Sequence, residues 1–331
     1  MAPKPFTGNG FLPLTAYKYS SVILRMIKIP PYLKKGDMIG IVCPSGYMPK
    51  DKAETCIGVL QEWGYQVKTG KTLGNQFHYF SGTDAERLAD MQAMLDDKEV
   101  KAILCGRGGY GMSRIIDGLN FKQFKKHPKW LIGFSDITVL HAHVYQQFNI
   151  ATLHAPMAAA FNDGEYAEEY VQSLRKALKG MSANYACASN QLNRLGKAEG
   201  ELIGGNLSLV AHLVGSLSSF KTKGRILFLE DVGEYIYNVD RMMIQLKRSG
   251  MLQNLAGLVI GGFTEMKDTT TPFGSDVFSI IHSHVEEYGY PVCFDFPVSH
   301  DKNNYALKVG VKHHLSVTKN KVTLKEVNPS D

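Results

Sequence analysis

Three side chains in this sequence could cooperate in nucleophilic chemistry: Ser135, Glu230 and His300. Ser135 stands in Trp130-Leu-Ile-Gly-Phe-Ser-Asp-Ile-Thr138. There an apolar run reaches Gly133 and gives way to helical spacing at Val139, Leu140, His143 and Val144. A buried strand that turns at once into a helix lifts a hydroxyl to the carboxyl edge of a sheet. The helix N-terminal amides there favour developing negative charge. The nucleophile elbow G-x-S-x-G is a turn of this kind, but Ile137 stands where its second glycine would be. Serine is also a favoured helix N-cap, so local pattern alone leaves both roles open. Glu230 closes the apolar run from Arg225, and His300 follows Val292-Cys-Phe-Asp-Phe-Pro297. Singly, such residues are more often a surface carboxylate and a satisfied histidine. Together, strand ends supply a hydroxyl, a carboxylate and an imidazole where an open α/β sheet forms its ligand crevice. A serine hydroxyl becomes a nucleophile when an adjacent base takes its proton. That base works best when a carboxylate fixes its tautomer.

A second feature is Gly106-Arg-Gly-Gly-Tyr-Gly111, directly after the strand-like Lys101–Cys105. Neither dinucleotide nor P-loop spacing is met, since no Lys-Ser or Lys-Thr follows. Glycines at a strand end allow close backbone approach and leave N–H groups free to face a ligand. That suits one half of an oxyanion hole, and equally a plain tight turn. Metal chemistry finds little support. His141 and His143, and likewise His282 and His284, lie two apart in helical stretches, where that spacing diverges. No zinc-type set is present, and no metal or cofactor is expected.

The elements that must position these groups alternate. Strand-like runs at 38–43, 65–68, 101–105, 130–134 and 151–154 are interleaved with helical periodicity at 52–63, after the Thr83–Glu86 capping box, and at 112–116. This predicts an α/β fold: an N-terminal, open, mostly parallel sheet flanked by helices. A C-terminal α/β domain with additional β-strands follows, from the runs at 225–230, 255–262, 292–297, 306–309 and 322–324. Residues 1–25 lack signal-peptide order and read as an added or misassigned leader. Residues 26–160 read as the nucleophile domain, 161–199 as a linker with one helix at 165–178, and 200–331 as the domain carrying the glutamate and histidine.

Composition limits the partners. The 331 residues are 44% hydrophobic and 21% charged, with a net charge of +6, an ordinary globular balance. The lysines at 122, 125, 126 and 129 read as a solvated face rather than a nucleic-acid patch. No apolar run is long enough for a membrane span. Five dispersed cysteines without C-x-x-C suggest neither disulfides nor zinc and fit a reducing compartment.

The motifs Gly36-Asp-Met-Ile-Gly-Ile-Val-Cys-Pro-Ser-Gly46, Arg107-Gly-Gly-Tyr-Gly111, Gly133-Phe-Ser-Asp-Ile-Thr138, Gly204-Gly-Asn-Leu207, Leu229-Glu-Asp231 and Phe296-Pro-x-x-His300 come in family order. Together they resemble the LD-carboxypeptidases, serine peptidases of the murein tetrapeptide carboxypeptidase type. The resemblance spans roughly residues 30 to 310. It implies a Ser135–Glu230–His300 triad and an oxyanion hole from the backbone N–H of Asp136 with that of Gly108 or Gly109. It also implies a cytoplasmic homodimer that removes terminal D-Ala from murein tetrapeptides or muropeptides during cell-wall recycling. Arg107, whose fork suits a free carboxylate, and Asn206 are candidates for substrate contact. Two stretches depart from the family pattern: residues 298–305, where a glycine commonly flanks the histidine, and Leu153-His-Ala-Pro-Met157, with alanine where glycine is common. Two other readings stand beside this one. The microcin C self-immunity peptidases, which cut a peptidyl-aminoacyl nucleotide, look similar but would need an aromatic platform and room for an adenine. A non-catalytic peptide- or muropeptide-binding protein would tolerate an unreactive Ser135.

Overall fold

A computed structural model describes residues 26–162 and 164–327; the expected leader lies outside them. The first half contains β1 (Met38–Val42), α1 (Glu54–Glu62), β2 (Gln66–Thr69), α2 (Asp84–Asp96), β3 (Val100–Cys105), α3 (Met112–Ile115), α4 (Lys122–Lys126), β4 (Trp130–Gly133), α5 (Thr138–Phe148) and β5 (Thr152–His154). The second contains α6 (Glu169–Leu178), β6 (Asn184–Ala188), β7 (Gly196–Asn206), α7 (Leu207–His212), β8 (Ile226–Val232), α8 (Ile236–Arg248), β9 (Gly257–Thr264), α9 (Val277–Val285), β10 (Val292–Cys293), β11 (Leu307–Val309), β12 (Lys312–Val317) and β13 (Lys321–Glu326).

These strands form two sheets, in the orders β11-β5-β4-β3-β1-β2 and β10-β9-β8-β7-β12-β13-β6. In the first, β1 to β5 are parallel, and β11 adds antiparallel to β5 with Leu307 opposite His154. In the second, β7 to β10 are parallel while β12, β13 and β6 extend the edge antiparallel. The expected parallel sheet followed by an α/β half with extra strands is therefore the architecture seen. The runs of β1, β3 and β4 are almost wholly buried, as strands covered on both faces must be. The expected capping box is formed, with Glu86 N–H donating to Thr83 Oγ1 at 3.3 Å and Thr83 N–H to Glu86 Oε2 at 2.8 Å.

The stretch 161–199, read from sequence as a linker, runs through α6, β6 and the first residues of β7. The second half also gives one strand back, since β11 completes the first sheet. Helix α5 is buried from Thr138 to Tyr145 and sits in a core that includes Ile103 and Leu131 of one sheet and Leu227, Leu229 and Leu258 of the other. His141 and His143 on this helix diverge as their spacing requires. His141 Nε2 lies 2.8 Å from the Gly133 carbonyl, and His143 Nδ1 3.0 Å from Ser218 Oγ.

Candidate active site

In the first sheet the strand order 2-1-3-4-5 reverses between β1 and β3, the switch point where open α/β sheets form their crevice. The loops leaving β1, β3 and β4 there carry Ser45, Gly106–Gly111 and Ser135. The chain leaves β4 through Gly133 at φ +156°, where a Cβ would lie 2.9 Å from Ile137 Cγ1. Ser135 then takes φ +62° and opens a tight turn, Ser135–Ile137, that runs into α5. A non-glycine residue held in the left-handed region is strained, by about 1–3 kcal/mol, and persists where its surroundings impose it. Gly108 supplies one such constraint: a Cβ there would lie 2.9 Å from Ser135 Cβ and 3.1 Å from its Oγ. The glycine loop and the serine turn are thus in van der Waals contact.

Asp136, fully buried, ties these loops together. Its Oδ2 accepts from Ser45 Oγ at 2.5 Å and from the Met112 N–H at 2.8 Å. Burial raises its pKa, against the lowering effect of those two hydrogen bonds. The glycine loop has a second anchor in Arg87 of α2, also fully buried, whose guanidinium donates to the carbonyls of Gly82 (3.2 Å) and Gly111 (3.1 Å) and pairs with Asp84. Sequence reasoning missed both Ser45 and Arg87. The only signal for Ser45 was its place after β1 in Pro44-Ser-Gly46, and Arg87 carried none, since an arginine inside a polar helix reads as solvated.

Glu230 lies on β8 opposite Asn206 of β7. A register shift against β9 between Leu229 and Asp231 breaks the strand's alternation, and both neighbouring carboxylates are buried. Glu230 Oε2 accepts from His300 Nδ1 at 2.5 Å. His300 sits on the loop between β10 and β11, its ring edge-on to Phe134 at 4.9 Å. Burial alone would lower the His300 pKa. The Glu230 charge and hydrogen bond, with help from Asp231 and Asp301, outweigh it and set it above the ordinary value. Asp231 is pushed up to about 7 by burial and by Glu230, against hydrogen bonds from Val232 N–H, Asn206 Nδ2 and Ser208 N–H.

Ser135 and His300 line one cleft of about 380 Å³, together with Arg107, Gly108, Gly109 and Asn206. A second cleft of about 360 Å³ meets it along Arg107, Phe134, Met157 and His300. His300 Nε2 has no hydrogen-bond partner among the described residues. The trio is therefore joined at Glu230–His300 and open at Ser135–His300, a looseness common in ligand-free hydrolases. Arg107 donates to the Tyr47 carbonyl at 2.8 Å and stands at the junction of the two clefts. Asn206 is largely committed to structure: its amide donates to Asp231 Oδ1 at 2.7 Å, and its carbonyl oxygen caps α7 by accepting from Leu209 N–H at 3.2 Å.

A strained serine that shares a cleft with a glutamate-bound histidine, beside a glycine loop and a helix start, is the arrangement of a serine hydrolase. The chain belongs to the LD-carboxypeptidase family. Residues 39–155 match the LD-carboxypeptidase N-terminal domain and residues 199–315 the C-terminal domain. A probable murein peptide carboxypeptidase of Bacillus subtilis is 37% identical over 290 residues, covering 86% of this chain and 90% of that protein. Muramoyltetrapeptide carboxypeptidase from Oxalobacter formigenes superposes with a TM-score of 0.81 at 29% identity, over 88% of this chain and 99% of its own. The microcin C7 self-immunity protein in complex with aspartyl sulfamoyl adenosine has a TM-score of 0.80 at 23% identity, over 91% and 99%. That likeness is one of fold.

Proposed function

We propose that this serine-type LD-carboxypeptidase releases C-terminal D-Ala from murein tetrapeptides, with Ser135 as nucleophile, His300 as base and Glu230 as its orienting carboxylate. The observation that carries this reading is the 2.5 Å His300–Glu230 bond, with Nε2 unpartnered in the cleft that holds Ser135. Nδ1 donates to Glu230, which leaves Nε2 free to take the Ser135 proton. Oγ attacks the carbonyl carbon of the L,D-peptide bond. The N–H of Asp136 and that of Gly108 or Gly109 hold the oxyanion. The intermediate collapses, the C–N bond breaks, and His300 gives its proton to the leaving amine of D-Ala. Water, deprotonated by His300, attacks the acyl carbon, the C–Oγ bond breaks, and His300 returns the proton to Ser135 Oγ. Arg107, at the junction of the clefts, would receive a substrate carboxylate, and Asn206 lines the pocket wall.

The five free cysteines, four of them buried, support a reducing, cytoplasmic setting. Assembly as a homodimer is part of the same proposal, and sedimentation measures it. No helix among the described residues is long and apolar enough to cross a membrane. The central test is D-Ala release from L-Ala-D-Glu-meso-diaminopimelate-D-Ala. Wild type should release it and Ser135→Ala should not. Equal release by both proteins sinks the mechanism, and release by neither sinks the substrate.

A further inference from the structure

His154 takes no part in the chemistry described above, yet it lies buried behind it. It ends β5 with no exposed surface, and Nε2 is 3.2 Å from Asn304 Oδ1, 150 residues away. Asn304 is 3% exposed and closes the same loop that carries His300. The His154 ring packs 5.7 Å from Phe134 and 5.1 Å from Phe228, edge-on to the latter. Phe134, the residue before the nucleophile, therefore touches His154 as well as His300. Just beyond Asn304, β11 pairs Leu307 with His154 itself. The His300 loop is thus held at its front by Glu230 of the second sheet and at its back by His154 of the first. The two stretches that depart from the family pattern, 153–157 and 298–305, meet through this bond.

We propose that His154 is a positioning residue for the reaction: through Asn304 and Phe134 it sets where His300 stands relative to Ser135. The bond to Asn304 Oδ1 requires a proton on Nε2. Burial lowers its pKa to about 3, so the ring stays neutral across the working pH range. A buried hydrogen bond between neutral groups constrains a loop without adding a charge beside the imidazolium that forms during turnover. This inference rests on the triad assignment proposed above.

The test is a cycle of His154→Phe, which keeps a ring and loses the bond, Asn304→Leu, which loses it from the loop side, and the double variant. Each single variant should lose roughly tenfold or more in kcat with KM within about twofold, and the double should be little worse than the worse single, because both remove one shared constraint. His154→Gln, whose amide can still reach Asn304, should recover part of the loss. The pH midpoint of kcat/KM should also fall in the single variants, as the Glu230 bond loosens. The charged and titratable groups facing His300 are Glu230, Asp231, Asp301 and, weakly, His154 itself. A loss that tracks only the folded fraction, with an unmoved midpoint, overturns the proposal, as does wild-type kcat in His154→Phe. Ser135 labelling by a serine-directed phosphonate, run on the same variants, separates the two claims. Slower labelling in the variants supports the positioning role even if D-Ala is not released. Absence of labelling in wild type would instead defeat the triad assignment.

Discussion

Replacing Gly108 by alanine should abolish most of the turnover while leaving the fold intact. The φ angle of Gly108 lies outside the left-handed region, so φ itself does not strain an L side chain there. Fewer unfolded conformations, worth about 0.4–1 kcal/mol, offset part of the strain of the new contact. The new methyl carbon would stand 2.9 Å from Ser135 Cβ, 3.1 Å from its Oγ and 3.5 Å from Asp136 N. The first contact is closer than real Cβ atoms tolerate, so Ser135 or the loop must shift by a few tenths of an ångström. The other two put the methyl in contact with both the hydroxyl and the amide, beside the space an oxyanion must enter. Losing one oxyanion donor costs about 10²–10³-fold in kcat, or about 2.7–4 kcal/mol, and a misplaced nucleophile adds to that. Initial rates of D-Ala release and thermal melting, measured on the same preparation, read the two effects separately. Gly58→Ala is the matched control: it lies inside α1 with nothing within 4 Å of its added Cβ, so it should leave kcat unchanged and stabilise by about 1 kcal/mol. If Gly108→Ala keeps kcat within about tenfold of wild type, the loop does not frame the oxyanion and the assignment of Gly108 and Asp136 is wrong.

In the proposed mechanism His300 must be neutral to accept the serine proton, so kcat/KM should fall as pH drops through its pKa, which lies above the ordinary 6.5. Glu230→Gln removes the main raising influence and leaves burial, so the midpoint should move down and kcat should fall by about 10⁴-fold, as when a triad carboxylate is replaced by its amide. A pH–rate profile that does not move would contradict the 2.5 Å pairing. A separate prediction concerns stability in acid. Burial holds His141, His154 and His313 at about 4, 3 and 4. Their folded pKa values lie below the unfolded one, so the stability they contribute is complete above about pH 6.5 and is lost as pH falls toward the folded values. At pH 5 each should cost about 2 kcal/mol relative to pH 7. His300 has the opposite sign, its raised folded pKa adding stability below 6.5, and so do the raised carboxyls of Asp231 and Asp136, so the three offset part of this. Urea midpoints at pH 7 and pH 5, compared between wild type and His313→Gln, isolate one such histidine: the pH 5 loss should be smaller in the variant by about 2 kcal/mol, and an equal loss in both would refute it.

Much of this molecule was legible because buried parallel strands write continuous apolar runs. Strands β1, β3, β4 and β5 and Glu230's strand could be placed that way, while the exposed edge strand β2 was marked by its place after Gly64, and glycine punctuation gave the turns. What was hidden has physical reasons. Strands β6 and β12 alternate exposed or half-buried residues with more buried ones, and short alternating segments of mixed polarity look like loop. Strand β7 went unread because Gly200, Gly204 and Gly205 interrupt its apolar run, the last two at φ +136° and +142°. The supports of the site were less legible still. Ser45, Arg87 and Phe134 matter through long-range contacts to Asp136, Gly111 and His300, and no local periodicity encodes those. Ser135's left-handed backbone, likewise, is a conflict between residue type and turn that only the assembled loops resolve.

The placement of the site follows from how the two sheets meet. Ser135 belongs to the first sheet, Glu230 to the second, and His300 to the chain passing from one to the other between β10 and β11. Their meeting point is the start of α5. Thr138 Oγ1 accepts from the Asn206 N–H at 3.1 Å, and a Cβ on Gly205 would come within 2.4 Å of that same oxygen. Glycine at 205 therefore lets the carboxyl end of β7 close onto the first turn after the nucleophile. Because Glu230 is paired with Asn206, that approach also fixes the distance from the serine turn to the carboxylate. The return of β11 to β5 then fixes the histidine loop. Neither sheet alone carries all three members of the proposed triad, so docking of the two halves on α5 also brings Ser135, Glu230 and His300 together. Loosening at the Gly205–Thr138 contact should reach turnover before it reaches either hydrophobic core.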